Sequence, residues 1–381
     1  MRGTITEKPG RGWYAVLSLS DPKTGKRRRP WHGPYRTRKE AEATLARLVT
    51  EYNGGTYVVD PEKLTVRAFF EDRWLPAVRG ELRETTAAHY RTVVSLYVVP
   101  NLGAERLTRL RPEQLKALYA DLEEHGGRDR RPLARQTVGG VHRLIRRALD
   151  DAVSWGLLGR NPAALVRPPR PMRREMATYS PEEMACLLGA ARDHRLSALF
   201  VLACTTGMRR GELVGLPWRA VDLEAGRLTV VQSAVAIGSR LVFNAPKTAA
   251  GLRTVPLAPE SVAALRKHRA GQQKERFQWG PAWQDHGLVF ARENGSPLLP
   301  SALDDTFRRI ARRAGLPRIR FHDLRHSWAT AALRGNVHPK VVSELLGHAS
   351  IGITLDTYSH AVPVLSEAAT ARVADLIFGA G

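Results

Sequence analysis

The chain has 381 residues, which is more than one hydrophobic core usually serves, so two or three domains are expected. Hydrophobic residues make up 43% of it and charged residues 25%, a balance that excludes a largely disordered chain. The formal net charge of +22 indicates an anionic partner, with nucleic acid as the first candidate, because Lys and Arg that neutralise phosphates release counterions. A merely solubilising surface charge is the alternative. Only ten of the 59 basic residues are lysines, and the excess of arginine suits phosphate, which a guanidinium binds through two donors.

Cysteine content and hydropathy bear on where the protein resides. Cys186 and Cys204 lie in apolar stretches without CxxC spacing, which predicts buried packing residues in a reducing compartment. No stretch approaches the roughly 18 continuous apolar residues of a membrane span. Residues 1–4 lack the apolar core of a signal peptide. We therefore expect a cytoplasmic protein without a membrane partner.

The first predicted unit covers residues 1–57. Residues 13–19 have the composition of a strand, and the Asp-Pro-Lys-Thr-Gly sequence at 21–25 predicts a hairpin turn. Thr37, with Glu40 three residues later, predicts the capped start of a helix that runs from about residue 38 to 52. A small sheet with one helix and a basic edge is typical of a DNA-groove reader, although a solvated basic loop is the plainer explanation. The candidate DNA-binding side chains on that edge are Arg27, Arg28 and Arg29.

The second predicted unit, residues 64–166, has the pattern of an all-helical domain. Its clearest helix spans about residues 133–155, where apolar residues fall on one arc and arginines on another. The arginine arc predicts a phosphate-binding face, with an ordinary solvated face as the alternative. A proline-rich segment at 161–171 cannot continue a helix and marks the domain boundary. The candidate DNA-binding residues on this arc are Arg143, Arg146 and Arg147.

The third predicted unit, residues 172–381, begins with the Ser-Pro-Glu-Glu helix start at 180–183. Strand-like runs at 227–236, 241–244 and 253–257 predict a small antiparallel sheet. Further helices are expected after a Ser301 cap, at 323–333, and at 339–346 with Gly347 as the terminator. The predicted fold class is therefore multidomain: a small α+β N-terminal domain, an all-α domain, and a mainly-α domain with a small antiparallel sheet.

The third unit also contains the residues that phosphodiester chemistry requires: cations for the nonbridging oxygens, a nucleophile and an acid for the leaving oxygen. No GxxxxGK[ST] loop, HExxH motif or acidic two-metal cluster is present, which indicates a reaction without metal or cofactor. Gly207 predicts a helix break that leaves Arg209 at the N-terminus of the next helix, where anions are favoured. An arginine at a helix junction without any such role is the alternative.

Two more clusters follow towards the C-terminus. His322 and Arg325, three residues apart on a helix, can face one phosphate, whereas a metal pair of His322 with His326 is disfavoured because no third ligand is apparent. Gly347 presents His348 at a turn, and Tyr358 follows ten residues later. A tyrosine there is by default a packing residue, and its phenol needs neighbouring cations or a base to attack at neutral pH.

These residues, in this order and spacing, resemble the catalytic signature of tyrosine recombinases, the phage integrases. The segment around Lys247 in 245–257 is similar to the family's turn that carries a catalytic lysine, and the match spans about 150 residues without a departure at the six positions. Residues 1–57 resemble the arm-type DNA-binding domain and 64–166 the helical core-binding domain. The six positions are Arg209, Lys247, His322, Arg325, His348 and Tyr358.

The resemblance implies a role for each residue. Tyr358 attacks the scissile phosphate to give a 3′-phosphotyrosyl bond, Arg209 and Arg325 hold the nonbridging oxygens, and Lys247 protonates the leaving 5′-oxygen. His322 helps to move the tyrosine proton and His348 donates a hydrogen bond to the phosphate. From behind these groups, the side chain of Glu212 is implied to orient its neighbours.

The resemblance further implies double-stranded attachment-site DNA as partner, a homotetramer at the crossover, and accessory DNA-bending or directionality proteins. The apolar residues after Tyr358 are expected to dock on a neighbouring protomer, with packing in cis as the alternative. Two other functions stay open at this point: relaxation of supercoils by type IB topoisomerase chemistry, and non-catalytic DNA-binding regulation. The tail residues concerned are Val362, Val364, Leu365, Val373, Leu376 and Ile377.

Overall fold

The computed structural model describes residues 2–20, 27–53, 63–170, 176–238, 240–246, 251–358 and 363–379. Two compact units divide the chain, Met1–Arg173 and Arg174–Gly381. Among the described helices, none is both long and apolar enough to cross a membrane.

An antiparallel sheet with one helix opens the chain, as the sequence predicts. Its strands pair in the order β1-β2-β3, and β4 also pairs with β2. Alternation along β2 directs Leu17 and Leu19 towards Leu48 of the helix, and these three side chains form the core. The predicted turn at 21–25 lies outside the described residues. The elements are β1 (Arg2–Lys8), β2 (Gly12–Ser20), β3 (Arg27–Arg28), β4 (Trp31–Tyr35) and α1 (Arg38–Asn53).

The start of α1 differs slightly from the predicted capping box. The backbone N–H of Glu40 donates to the Thr37 hydroxyl at 3.2 Å, as expected. The Glu40 carboxylate, however, accepts from the backbone N–H of Arg36 at 3.1 Å, one residue before the cap. Two of the free N–H groups at this helix start are satisfied in either arrangement.

The remainder of the first unit is helical. The apolar arc predicted near 133–155 is buried within α7, and the indole N–H of Trp74 donates to the Asp151 carboxylate at 2.7 Å. Two single turns are π-helical, Phe69–Trp74 and Val94–Val98. The α-helices are α2 (Val66–Ala68), α3 (Leu75–Val78), α4 (Glu84–Val93), α5 (Val99–Leu102), α6 (Pro112–His125) and α7 (Arg135–Ser154); the 3₁₀ turns are Arg79–Glu81, Leu107–Arg109, Arg128–Arg130 and Pro162–Leu165.

The second unit combines helices with two small sheets around one large apolar core. Ser180 caps its first helix and forms the predicted capping box with Glu183. The helices are α8 (Pro181–Ala190), α9 (Ser197–Thr206), α10 (Arg210–Val214), α11 (Pro259–Trp279), α12 (Pro300–Arg313), α13 (Asp323–Arg334), α14 (Pro339–Leu346), α15 (Ile351–Tyr358) and α16 (Pro363–Phe378), with 3₁₀ turns at Trp218–Ala220 and Gly280–Ala282. The strands are β5 (Val221–Asp222), β6 (Arg227–Val230), β7 (Ser233–Ile237), β8 (Arg240–Asn244) and β9 (Arg253–Pro256).

The single sheet predicted for this unit is wrong in detail. β5, β6 and β9 form one antiparallel sheet, and β7 with β8 forms another. The run at 227–236 breaks between Val230 and Ser233, where the side-chain amide of Gln232 donates to the Gly215 carbonyl at 2.8 Å. In the described part of the chain, β8 pairs with β7 and β9 pairs with β6, so the two strands on either side of Lys247 have different partners.

Two local predictions also need correction. Helix α12 begins at Pro300, with Leu299 as its cap, because proline suits the first helical position; Ser301 therefore lies inside the helix. Cys186 is exposed, whereas Cys204 is buried as predicted. In the tail, Val373, Leu376 and Ile377 are exposed on α16; Val362 lies outside the described residues, as do the side chains of Val364 and Leu365.

Candidate active site

The loop before α10 fixes the position of Arg209. Gly207 ends α9 in the left-handed region at φ +62°, and a Cβ there would come within 2.6 Å of the Trp328 ring. Only glycine fits both the backbone and the space. Arg209 then caps α10, and its backbone N–H donates to the Glu212 carboxylate at 2.9 Å.

Glu212 is a buried carboxylate held between two arginines. Arg209 donates to one of its oxygens at 2.8 Å, and Arg253 of β9 donates to both, at 3.1 and 2.8 Å. Burial alone would raise the pKa of Glu212, but the hydrogen bonds and charges of Arg253 and then Arg209 outweigh it and lower that pKa. Glu212 therefore stays ionised and orients Arg209.

Three guanidinium groups converge on the C-terminal end of α14. Arg253 donates to the carbonyl of Leu345 at 2.6 Å, Arg325 to that of Leu346 at 2.7 Å, and Arg209 to that of Gly347 at 3.1 Å. The last carbonyls of a helix have no partner within it and form the negative end of its dipole. This helix end therefore holds three like charges close together. The left-handed backbone at Gly347 (φ +65°) stops the helix there.

Arg325 is deeply buried, with 3% of its surface exposed. It also donates to the carbonyl of Gly207 at 2.8 Å, which connects α13 to the loop before Arg209. Burial, and next the charge of Arg209, lower the pKa of Arg325 to about 9, which leaves it protonated at neutral pH.

Three histidines surround these cations, and all three are neutral at pH 7. Burial, then Arg325, lower the pKa of His348 to about 4; its Nδ1 lies 2.8 Å from the Thr354 hydroxyl. Desolvation, followed by His326 and Arg325, lowers the pKa of His322 to about 4, although solvent weakens this shift because His322 is exposed. Burial also lowers the pKa of His326.

Tyr358 closes the site from α15, with 1% of its surface exposed. Its hydroxyl lies 2.8 Å from Nδ1 of His326, not in a hydrogen bond with His322. Burial raises the pKa of Tyr358 to about 12, against the lowering influence of Arg325 and Arg209. The phenol is thus within electrostatic reach of both arginines and is protonated at neutral pH.

A basic cleft of about 660 Å³ opens beside these groups, against Arg209 and His322. Arg210 in its wall is paired with Asp304. A wall with this many guanidinium groups suits the sugar-phosphate backbone of nucleic acid. The basic side chains that line it are Arg209, Arg210, Arg308, Arg318, Arg320 and His322.

Five of the six predicted catalytic residues come together in this unit, and Lys247 lies outside the described residues. The sequence prediction missed Arg253, which shares the buried face of β9 with Val255, and it considered His326 only as a metal ligand. Among the described residues, no group of three or more His, Cys, Asp or Glu side chains could hold a metal ion.

The predicted DNA-binding arginines differ in their exposure and contacts. Arg29, Arg143 and Arg146 are exposed. Arg147 instead packs on the Tyr90 ring and donates to its hydroxyl at 3.2 Å, which gives it a structural contact in the helical body. The side chains of Arg27 and Arg28, on β3, lie outside the described residues.

Comparison with known proteins identifies the family. The model of the phage integrase family matches residues 178–363, and the model of an arm DNA-binding domain matches residues 5–52. The chain is 30% identical over 390 residues to a tyrosine recombinase XerC-like protein of Caldanaerobacter subterraneus subsp. tengcongensis, covering 97% of both chains. This chain belongs to the tyrosine recombinase family, the phage integrases. An integrase of Saccharopolyspora erythraea is 25% identical over 92% of the chain and 91% of its own length.

Solved structures agree on the fold of this recombinase. The Tn1549 transposon integrase in complex with transposon right end DNA superposes with a TM-score of 0.68 at 19% identity, over 82% of this chain and 100% of that one. A lambda integrase dimer bound to a core site gives a TM-score of 0.56 at 17% identity, over 93% and 94%. The sequence prediction of an N-terminal arm DNA-binding domain with a small sheet, followed by a mostly helical body, is confirmed.

The family fixes the activity. The chain is a site-specific DNA recombinase that cleaves and religates DNA through a 3′-phosphotyrosyl intermediate, and it integrates or excises a mobile element.

Proposed function

We propose that Tyr358 is the nucleophile of this recombinase and attacks in its own subunit. The observation that carries the proposal is the 2.8 Å contact between its hydroxyl and His326, the residue after Arg325. The lowering influence of Arg325 and Arg209 on the pKa of Tyr358 supports it, because both arginines lie close enough to act on a phosphate in line with the phenol. Burial of the ring supports a fixed direction of attack.

Arg209 and Arg325 bind the nonbridging oxygens and stabilise the charge that builds up in the transition state. His348 donates a hydrogen bond to the same phosphate from Nε2, since its Nδ1 is engaged by Thr354. Glu212 keeps Arg209 in position through its direct hydrogen bonds.

Two further roles rest on the family pattern. Lys247 protonates the leaving 5′-oxygen. A substrate with a 5′-thiol leaving group needs little protonation, so it should restore cleavage to a Lys247→Ala variant, and failure to do so would assign the acid elsewhere. His322, exposed at the edge of the basic cleft with its ring centroid 5.4 Å from that of His326, helps to move the tyrosine proton.

DNA reaches the site along the basic cleft. Arginines elsewhere in the chain add binding affinity that does not depend on the DNA sequence. Arg143 and Arg146 of α7, together with Arg27, Arg28 and Arg29 in the N-terminal sheet, contact phosphates. The division into residues 1–57, 64–166 and 172–381 provides arm-type, core-type and catalytic domains. Recombination is carried out by a cytoplasmic homotetramer, with accessory DNA-bending or directionality proteins, and the exposed apolar side chains of α16 support docking of the tail on a neighbouring protomer.

The test of the nucleophile is covalent trapping. A suicide substrate, whose cleaved strand diffuses away, should accumulate a protein–DNA adduct with the natural chain that survives a denaturing gel. Tyr358→Phe should bind the same DNA with nearly unchanged affinity and form no adduct. An adduct formed by Tyr358→Phe would refute the assignment. Relaxation of any plasmid without an attachment site would point instead to topoisomerase action.

A further inference from the structure

His326 is the group that touches the reactive oxygen of the site. Its Nδ1 lies 2.8 Å from the Tyr358 hydroxyl, and the two ring centroids are 5.7 Å apart. Among the side chains that the structure describes, it is the only one in a hydrogen bond with this hydroxyl. Nδ1 of His348 lies 2.8 Å from the Thr354 hydroxyl, so this nitrogen is engaged away from Tyr358.

We propose that His326 accepts the phenolic proton of Tyr358 as the hydroxyl attacks phosphorus, and returns it during religation. The inference rests on the proposed function, because it needs Tyr358 as the nucleophile. In cleavage the Oη–P bond forms, the P–O5′ bond breaks, and the proton passes from Oη to Nδ1. The leaving 5′-oxygen takes its proton from the acid assigned to Lys247. In religation each of these transfers runs backwards, and the imidazolium of His326 gives its proton to the departing phenolate.

The protonation states on both sides of the contact fit this transfer. Burial raises the pKa of Tyr358 to about 12, so the nucleophile starts as a phenol and needs an acceptor. Burial lowers the pKa of His326, so the ring starts neutral. With its own proton on Nε2, the ring has a free lone pair on Nδ1 for the phenol. The phenol becomes far more acidic as Oη bonds to phosphorus, so the proton moves within the transition state.

The charged surroundings of His326 set when it can hold the extra proton. Burial has the largest influence and lowers the pKa of His326. Asp323 raises this pKa, whereas Arg325 and Arg320 lower it. A phosphodiester bound at the site adds a negative charge that favours the imidazolium. The base is therefore strengthened only when DNA is bound. Titratable or charged groups face this ring from α13 and the turn before it, from the turn between α14 and α15, and from α15 itself. They are Arg320, His322, Asp323, Arg325, His348 and Tyr358.

The packing of the Tyr358 ring makes it possible to distinguish a proton-accepting role of His326 from a purely positioning role. The Tyr358 ring is held by apolar side chains of α13 and α14, so its place does not depend on the hydrogen bond to His326. Removal of the imidazole should therefore leave the phenol in position but without an acceptor. The apolar side chains concerned are Ala329, Leu333, Val342 and Leu346.

The experiment compares the full-length natural chain with His326→Ala and His326→Asn in single-turnover cleavage of a suicide substrate between pH 6 and 9. Each chain is also prepared with a ring-fluorinated, more acidic tyrosine at position 358. The asparagine Oδ1 replaces Nδ1 as a hydrogen-bond acceptor but cannot take up a proton. DNA binding by each protein is measured in parallel.

We expect His326→Ala and His326→Asn to bind DNA normally and to cleave about 10²–10⁴ times more slowly, the usual contribution of a general base. Their rates should rise with pH, and the fluorinated tyrosine should restore about tenfold or more. Full recovery by His326→Asn would show that acceptance of a hydrogen bond suffices and would overturn the proposal. So would a slow variant that fluorination does not rescue.

The proton acceptor and the nucleophile are tested by different outcomes. If the natural chain forms an adduct through Tyr358 and His326→Ala cleaves as fast, the proton acceptor is misassigned while the nucleophile stands. If neither the natural tyrosine nor its fluorinated analogue at position 358 forms an adduct, the proposed nucleophile itself is wrong.

Discussion

Removal of Arg253 tests how the cations are held in place. The side chains of Arg253 and Glu212 are 7% and 6% exposed, so Arg253→Met leaves a buried carboxylate that has lost two hydrogen bonds. Loss of one partner of a buried ion pair typically costs about 3–5 kcal/mol. Arg209 still donates to Glu212 from a half-exposed position, which favours the lower end, about 3 kcal/mol. The orphaned carbonyl of Leu345 adds to the cost.

The assay is native-state hydrogen exchange on the full-length protein, read at the amides of α9, α13 and α14, which reports the free energy of unfolding of this unit by itself. The matched control is the double variant Glu212→Met with Arg253→Met. Without either charge, it should regain most of the lost stability, because a buried pair replaced by apolar residues is often neutral. Cleavage by the double variant should stay crippled, since Arg209 has lost the carboxylate that orients it.

Two results would refute this account of the buried pair. A cost below about 1 kcal/mol for Arg253→Met would mean that Glu212 and Arg253 behave as an exposed pair. Normal cleavage by the double variant would mean that Arg209 needs no partner to reach the phosphate.

Three further results are expected. The pKa of Glu212 is lowered on folding, so the stability it contributes is present above its unfolded pKa of about 4.3 and is lost as pH falls towards its folded pKa. Between pH 6 and 3 the free energy of unfolding of Glu212→Gln should therefore fall less steeply than that of the natural chain. Parallel curves for the two proteins would contradict this. Thr354→Val removes the partner of His348 and should slow cleavage by about fivefold, as the loss of roughly 1 kcal/mol in one hydrogen bond would do, with little change in unfolding; an unchanged rate would leave His348 positioned by other contacts. Arg143→Gln with Arg146→Gln should weaken DNA binding for all sequences and lower the slope of log K against log salt by about 0.9 for each lost phosphate contact, whereas an unchanged slope would place these side chains away from DNA.

Local patterns in the sequence predicted much of the fold. The Ser180 capping box and the stop at Gly347 depend on neighbouring residues alone, and both are present in the structure. The pairing of β8 and β9 with different strands was not predicted, because strand composition does not specify partners. The residue type of Ser301 suits a helix cap, and that of Pro300 suits the first helical position, so the sequence alone does not decide where α12 begins.

The site divides in the same way. The motif residues were predicted by type and spacing, but Arg253 and His326 were not, since their importance comes from contacts across the unit: Arg253 with Glu212 at a separation of 41 residues, and His326 with Tyr358 at 32. The sequence gives no measure of such distances. His322 shares the helical face with Arg325, yet the hydroxyl of Tyr358 lies against the ring one turn further along α13.

The most direct test of the central claim is to map the covalent bond. Natural protein trapped on a suicide substrate is digested with nuclease and protease, and the peptides are sequenced by mass spectrometry. We predict a single modified peptide with the nucleotide remnant attached through the oxygen of Tyr358. A remnant on any other residue, or cleavage without a covalent peptide, would contradict the account.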